Sequence, residues 1–339
     1  MMSICKFKKL SSKLNFLLLI CLFSFYGCTE EDIDYQQLFK SILIEEKGSV
    51  KSGTSLEEYT SQLLLADPYI LCDDDGYYAY GTGTNCSYGL EVFYSKDLYT
   101  WENCGYVISK DIIDIEGVFW APEVYKVGNK YLMYFANNNG SYNIYVAQSD
   151  SPRGPFTDIS LVKSNAIDPT LYFDDNGEAF FYYCSYSTGG QSICFNKLSD
   201  DMKSVTGKET FCFTHSLSWE NGITEGPSVF KIGDKLFIAY SAPGYTSQSY
   251  SVGLAVFDEY ENTWVKYTES ILSSNGIWFG TGHCSVFKDQ NSEMRIVFHA
   301  HNSRFQVHPR RAYIGRLYSN DSGISVGNSF VIPHILNKE

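Results

Sequence analysis

The strongest constraint on how this 339-residue chain folds is a phrase that recurs five times. Each copy carries a polar or acidic anchor, an apolar strand, a turn rich in Gly or Asp, and a second, aromatic strand. The copies open at Asp67-Pro68-Tyr69, Ala121-Pro122-Glu123, Asp168-Pro169-Thr170, Glu225-Gly226-Pro227 and His283-Cys284-Ser285. The anchors Asp67, Glu123, Asp168, Glu225 and His283 lie 56, 45, 57 and 58 residues apart. Self-similarity at a period of roughly 45–60 residues marks a propeller. The expected fold is therefore all-β, a five-bladed β-propeller. In such a ring the same strand of every blade lines the central axis. Four carboxylates and a histidine, distant in sequence, are thereby expected near one point.

Turn signals support the repeat. Asp73-Asp74-Asp75-Gly76, Val127-Gly128-Asn129, Asp174-Asp175-Asn176-Gly177 and Ile232-Gly233-Asp234 each join two apolar runs. Further blade strands are expected over 92–95, 143–147 and 252–256. Ahead of the first copy, Ser55-Leu56-Glu57-Glu58 has the spacing of a capping box, which predicts a short helix through Leu65.

The first 27 residues read as a targeting segment: a Lys-rich start, an apolar run from Leu14 to Phe25, then Phe25-Tyr26-Gly27-Cys28. The run is short for a membrane-spanning helix. It resembles a bacterial lipoprotein signal, which implies cleavage before Cys28, lipid on that sulfur, and residence in the outer membrane of a Gram-negative cell. Residues 28–60 then form a polar tether, and 61–339 the propeller. On this reading the membrane is met only through the lipid. The formal charge of −13 repels phosphate backbones, so nucleic acid is not an expected partner. Ten cysteines fall to seven once Cys5, Cys21 and Cys28 are set aside, an odd number with no CxxC pair. Buried free thiols are the expectation, with Cys184–Cys194 as a candidate hairpin bridge.

Asp67 and Asp168 each precede a proline, which biases its predecessor toward extended geometry and so fixes the carboxylate. Glu225 sits one residue off the same pattern. Three carboxylates brought to one axis raise one another's pKa, a costly arrangement that acetal hydrolysis needs. One acid, kept protonated, donates to the leaving oxygen, while an opposed carboxylate deprotonates water.

The phrases Ala66-Asp67-Pro68-Tyr69, Trp120-Ala121-Pro122-Glu123-Val124, Ile167-Asp168-Pro169-Thr170, Thr224-Glu225-Gly226-Pro227-Ser228 and Gly282-His283-Cys284-Ser285-Val286-Phe287 resemble, in order, those of glycoside hydrolase family 43. That family consists of inverting five-bladed propellers acting on arabinose-, xylose- and sometimes galactose-containing glycans. The resemblance implies Asp67 as general base, Asp168 as pKa modulator and Glu225 as general acid. It implies a supporting role for Glu123, a calcium ion near His283 held through water, and Arg310 rather than Arg311 binding the sugar. Many relatives read Gly-His-Gly-His where this chain reads Gly280-Thr281-Gly282-His283. His299 or His301 is expected beside the site. Phe119, Trp120, Trp278 and Phe279, each just before an anchor, are expected as sugar-stacking rings. The function so implied is an exo-acting α-L-arabinofuranosidase or β-xylosidase. The rivals are an endo-arabinanase or galactosidase of the same fold, or a non-catalytic glycan-binding propeller.

Overall fold

The computed structural model describes residues 59–187, 190–320 and 323–336, with side chains from Ser61 onward. The targeting segment, Cys28 and the tether up to residue 58 lie outside the described residues.

Five antiparallel four-stranded blades follow one another along the chain. Blade 1 comprises Ala66–Asp73, Gly76–Thr82, Gly89–Ser95 and Thr100–Ser109. Blade 2 comprises Val118–Val127, Lys130–Asn138, Tyr142–Ser149 and Thr157–Ser164. Blade 3 comprises Ala166–Phe173, Ala179–Ser185, Ser192–Leu198 and Val205–Thr214. Blade 4 comprises Glu225–Ile232, Lys235–Ala242, Ser251–Asp258 and Thr263–Lys266. Blade 5 comprises Gly282–Lys288, Met294–Ala300, Arg311–Asn320 and Gly323–Val331. The five-bladed expectation holds, and the expected strands over 92–95, 143–147 and 252–256 are the third of their blades.

Each sheet is buried on both faces because a neighbouring blade covers each one. In Gly76–Thr82 every residue is buried. Tyr78 and Tyr80 pack toward blade 2 with Phe119, Val124, Met133 and Phe135. Tyr77 and Ala79 pack the other way, with Phe287, Val297 and Ile314 of blade 5. The same alternation settles the cysteines. Cys184 stands opposite Ile193 and Tyr183 opposite Cys194. Successive residues of a strand point to opposite faces, so Cys184 faces blade 4 while Cys194 faces blade 2. The expected hairpin bridge does not form, and all seven described cysteines are free.

The expected helix through Leu65 is also replaced. Tyr59–Gln62 is a strand, antiparallel to His334–Leu336, which in turn runs parallel to Thr100 and Trp101 of blade 1. Leu63 N–H donates to the Pro333 carbonyl at 2.8 Å, and Ala312 N–H donates to the Leu63 carbonyl at 3.1 Å. These partners arrive from the far end of the chain, and they outweigh a local capping signal worth about 1 kcal/mol. The start and end of the propeller are thereby stitched to blades 1 and 5.

Candidate active site

The five inner strands share one irregularity. Their pairing slips between Ala66 and Tyr69, Trp120 and Glu123, Ile167 and Thr170, Glu225 and Ser228, and Gly282 and Ser285. In each slip one residue has a left-handed backbone: Asp67 (φ 48°), Ala121 (43°), Asp168 (57°), Gly226 (57°) and His283 (42°). These are β-bulges, which re-aim side chains and end regular pairing. The bulge lets consecutive residues face the same space, so Ala66 and Asp67 both border the central cavity, as do Ile167 and Asp168. Proline follows in four of the five blades, where its missing N–H costs the ladder nothing. The extended backbone expected before Pro68 and Pro169 is thus corrected, because the bulge imposes positive φ there. The equivalence of the five anchors is corrected too. Asp67, Asp168 and His283 share one slot with Ala121 and Gly226, whereas Glu225 precedes that slot and Glu123 lies two residues beyond it.

The backbone N–H at four of the bulges is held by a side chain of the preceding blade. Ala121 N–H donates to Thr82 Oγ1 at 2.9 Å, Gly226 N–H to Asp168 Oδ2 at 2.9 Å and His283 N–H to Ser241 Oγ at 2.7 Å. Asp67 N–H closes the ring onto His299 Nδ1 at 3.1 Å. The contacts that carry the site are therefore also the contacts that join the blades.

A cavity of about 900 Å³ opens over these bulges and is bordered by Asp67, Trp120, Asp168, Glu225, His283 and Arg310, which come from all five blades. Asp67 receives Thr82 Oγ1–H at 2.6 Å on Oδ2 and Arg310 Nη1–H at 2.8 Å on Oδ1. His283 Nδ1 lies 3.3 Å from Oδ1 and His299 Nδ1 3.5 Å. Burial pushes the Asp67 carboxyl up. Arg310, His283, His299 and the Thr82 hydroxyl outweigh that and hold it well below the usual carboxylate range.

Glu225 is the reverse case. Burial, with the charge of Asp67 added, pushes its carboxyl up to about 7, against the hydrogen bonds from Tyr250 and Gln191. Those bonds are Tyr250 O–H to Oε1 at 2.9 Å and Gln191 Nε2–H to Oε2 at 3.2 Å. Asp168 is likewise raised, by burial and then by the charge of Glu225. One carboxylate, Asp67, is thus held ionised, and two carboxyls, Glu225 and Asp168, are pushed toward the protonated form, in one water-accessible hollow.

Other expected residues fall elsewhere. Phe119 is fully buried in the core between blades 1 and 2. Trp278 is packed edge-on against Phe330 and against Phe298 and Tyr313. Neither borders the cavity: at Phe119 the bulge turns Trp120 toward the axis and leaves the preceding ring in the core, whereas Trp278 lies ahead of the inner strand of blade 5, held in its aromatic cluster. Phe279 faces the Arg304 guanidinium instead. Glu123 lies below the cavity, accepting from the Tyr125 hydroxyl, and burial pushes it up to about 8. Arg311 turns away to Asn302 and Gln62, leaving Arg310 alone at Asp67. His299 lies under Asp67, whereas His301 bonds the Tyr245 carbonyl.

The donors beside His283 do not fit a calcium ion held directly by the protein. Its Nδ1 faces Asp67, whose carboxylate Arg310 already neutralises, and its ring lies against the Gly226 backbone. Calcium takes six to eight oxygens. Among the described residues no group of three or more His, Cys, Asp or Glu is placed to hold a metal.

Sequence reasoning missed Thr82, Gln191, Tyr250, Tyr142 and Tyr186. Tyr142 and Tyr186 stack at 4.9 Å, with Trp120 6.1 Å from Tyr142, forming an aromatic wall. Thr82 had a signal: it is the polar residue that ends the aromatic second strand of blade 1, as Ser241 and His299 come one residue before the ends of those of blades 4 and 5. Gln191 and Tyr250 lie outside the repeated phrase and had none.

Residues 60–324 match the model of the Glycosyl hydrolases family 43. A five-bladed propeller whose axis carries this trio of carboxyls is a glycoside hydrolase, and the chain belongs to that family. A solved structure of an endo-1,4-beta-xylanase from Bacteroides thetaiotaomicron is 31% identical, with a TM-score of 0.76 over 81% of this chain and 98% of that one. A beta-D-galactofuranosidase of Aspergillus niger is 26% identical over 76% of this chain and 80% of its own length. An extracellular exo-alpha-(1->5)-L-arabinofuranosidase of Streptomyces avermitilis is 26% identical over 76% of this chain, which spans 60% of that relative.

Proposed function

We propose that this protein is an inverting, exo-acting glycosidase releasing α-L-arabinofuranosyl or β-xylosyl units from plant polysaccharide fragments. The observation that carries the reading is the division of protonation states: Asp67 ionised, Glu225 protonated, in one cavity. Glu225 gives its proton to the departing glycosidic oxygen. Asp67 takes a proton from the water that attacks the anomeric carbon from the opposite face. Asp67 is a weak base, which suits an oxocarbenium-like transition state that asks little push from water. Asp168, bonded to the Gly226 N–H, holds the Glu225 segment in place, and the charge that helps keep the Glu225 proton on is that of Asp67. Arg310 orients Asp67 and is available to the sugar, and the Trp120–Tyr142–Tyr186 wall offers it an aromatic face. A cavity of about 900 Å³ suits one or two sugar units.

The test pairs two measurements. Proton NMR of first-formed product on arabinofuranosides and xylosides should find the inverted anomer; the substrate's own anomer sinks the mechanism. Glu225→Gln and Asp67→Asn should each lower kcat by about 10²–10⁴-fold with folding intact. Glu225→Gln should be milder on nitrophenyl glycosides, whose leaving group needs little protonation. A second reading, endo action, is favoured by the name of the Bacteroides relative; oligomeric rather than monomeric products from arabinan or xylan would select it. We further propose that Cys28 is lipidated, which radiolabelled palmitate incorporation, abolished in Cys28→Ala, would test.

A further inference from the structure

Three rim loops of blades 4 and 5 interlock beside the cavity. Gly280 N–H donates to the Gln248 carbonyl at 3.0 Å, Gln248 Nε2–H to the Arg304 carbonyl at 2.7 Å, and His301 N–H to the Phe279 carbonyl at 2.8 Å. The bases of two of them border the cavity, through Gly244, Tyr245 and Thr246 and through His308, Pro309 and Arg310. Their tips carry an unusual surface. Phe305 is 89% exposed, with Ile277 and Tyr245 also exposed. The Arg304 guanidinium lies 5.8 Å from the Phe279 ring centre and 5.6 Å from that of Phe305.

The charge around Arg304 is equally lopsided. Segments 242–250, 271–281 and 300–312 contain no Asp or Glu, in a chain that has 39. They contain Arg304, His308 and Arg310. Arg311, the other cation there, is bonded to Asn302 and Gln62. Among the described residues no carboxylate forms a salt bridge with Arg304. A cation braced by aromatic rings, beside an exposed phenyl face, is a site that lacks its anion and its apolar partner.

We propose that Arg304 and Phe305 form a secondary glycan subsite for a uronic-acid-bearing unit of the substrate, outside the cavity. The sugar's CH face covers the Phe305 ring, and its carboxylate pairs with the guanidinium, which is planar and suited to bidentate contact. The occupant is the continuation of the same glycan, because the loop that carries the tip also supplies His308 and Arg310 to the cavity. His308 follows Arg304 by four residue steps, which span at most about 14 Å of chain, a reach that one bound oligosaccharide bridges. This inference rests on the glycosidase reading and adds the acidic substrate class to it.

The experiment compares kcat/KM on matched pentose-containing oligosaccharides with and without a uronic acid substituent. In the wild type the acidic substrate should be preferred, and the preference should shrink as NaCl rises. Arg304→Ala should cut the acidic-to-neutral ratio about five- to tenfold, the size expected for one partly exposed charge and ring contact. Arg304→Glu should cut it further, an added repulsion that a purely structural role does not produce. Phe305→Ala should raise KM for both oligosaccharides. Tyr260→Ala, which removes another exposed ring on an outer turn, should leave the ratio unchanged. A wild type without acidic preference, or an unchanged ratio in Arg304→Glu, overturns the inference while pentoside hydrolysis stands. Absence of hydrolysis of any pentoside overturns the underlying reading instead.

Discussion

At the residue scale, the site works by pushing two carboxyls in opposite directions from similar starting points. Asp67 is buried and Glu225 half-buried, and the loss of water around each raises both. Only Asp67 has a guanidinium at 2.8 Å, so only Asp67 is pulled down. Activity needs Glu225 protonated and Asp67 ionised. The expected pH profile of kcat/KM is therefore level through mildly acidic pH and falls as pH rises through about 7, the Glu225 value. Gln191→Ala removes a hydrogen bond that favours the ionised form, so the alkaline limb should move to higher pH; a fixed or lowered limb contradicts the assignment. Gly226 gives a second handle. Its φ is 57°, and an added Cβ would meet His283 Cγ at 3.0 Å. Gly226→Ala should cost about 1–3 kcal/mol in urea unfolding. It should also lower kcat, because its N–H braces Asp168.

At the element scale, the loop that delivers Glu225 is held from beneath. Glu220, in the short 3₁₀ turn Ser218–Glu220, is fully buried and accepts from Ser216 N–H, Leu217 N–H and the Tyr240 hydroxyl. Its counter-ion is Lys266 Nζ, at 2.7 Å, from the last strand of blade 4. Lys266→Met would leave that carboxylate buried and unpaired, a loss of about 3–5 kcal/mol. Thermal unfolding of Lys266→Met against Glu220→Gln/Lys266→Met should find the double variant the more stable, since it carries no stranded charge. Nothing in the sequence singles out this pair, because it joins segments 46 residues apart without a repeated motif. The legible part was what repeats: the inner and second strands, their turns, and the residues flanking each bulge. Asp67, Asp168, Glu225, His283 and Arg310 were found because they belong to that repeat or to the family phrase. Phe119 was misplaced for a reason of register. A one-residue offset in a strand changes the face a side chain takes, and the position of the bulge is not written in the alternation of apolar residues.

At the scale of the whole molecule, the propeller axis stores carboxyls in their neutral form, and this couples folding to pH. Glu123 rises from 4.5 to about 8 by burial. A raised folded-state carboxyl binds a proton that the unfolded chain has already released, so its contribution to stability is full below about pH 4.5 and is lost as pH climbs toward 8. The axial histidines act with the opposite sign. Burial lowers His283 and His299, so the unfolded chain binds protons there below about pH 6.5 that the folded chain refuses, and their effect is to weaken the fold as pH falls. The raw stability curve therefore mixes two slopes. Subtracting the curve of Glu123→Gln cancels the histidines and isolates the glutamate, because Gln keeps the acceptor for Tyr125 and cannot ionise. The wild type should lose stability relative to Glu123→Gln as pH rises from 5 to 8, with a slope on the order of 1.4 kcal/mol per pH unit at most. Urea denaturation at pH 5, 6, 7 and 8 measures it. A difference that stays flat across that range would mean that Glu123 ionises in the folded protein as it does in water, and that the axis is wetter than its packing implies.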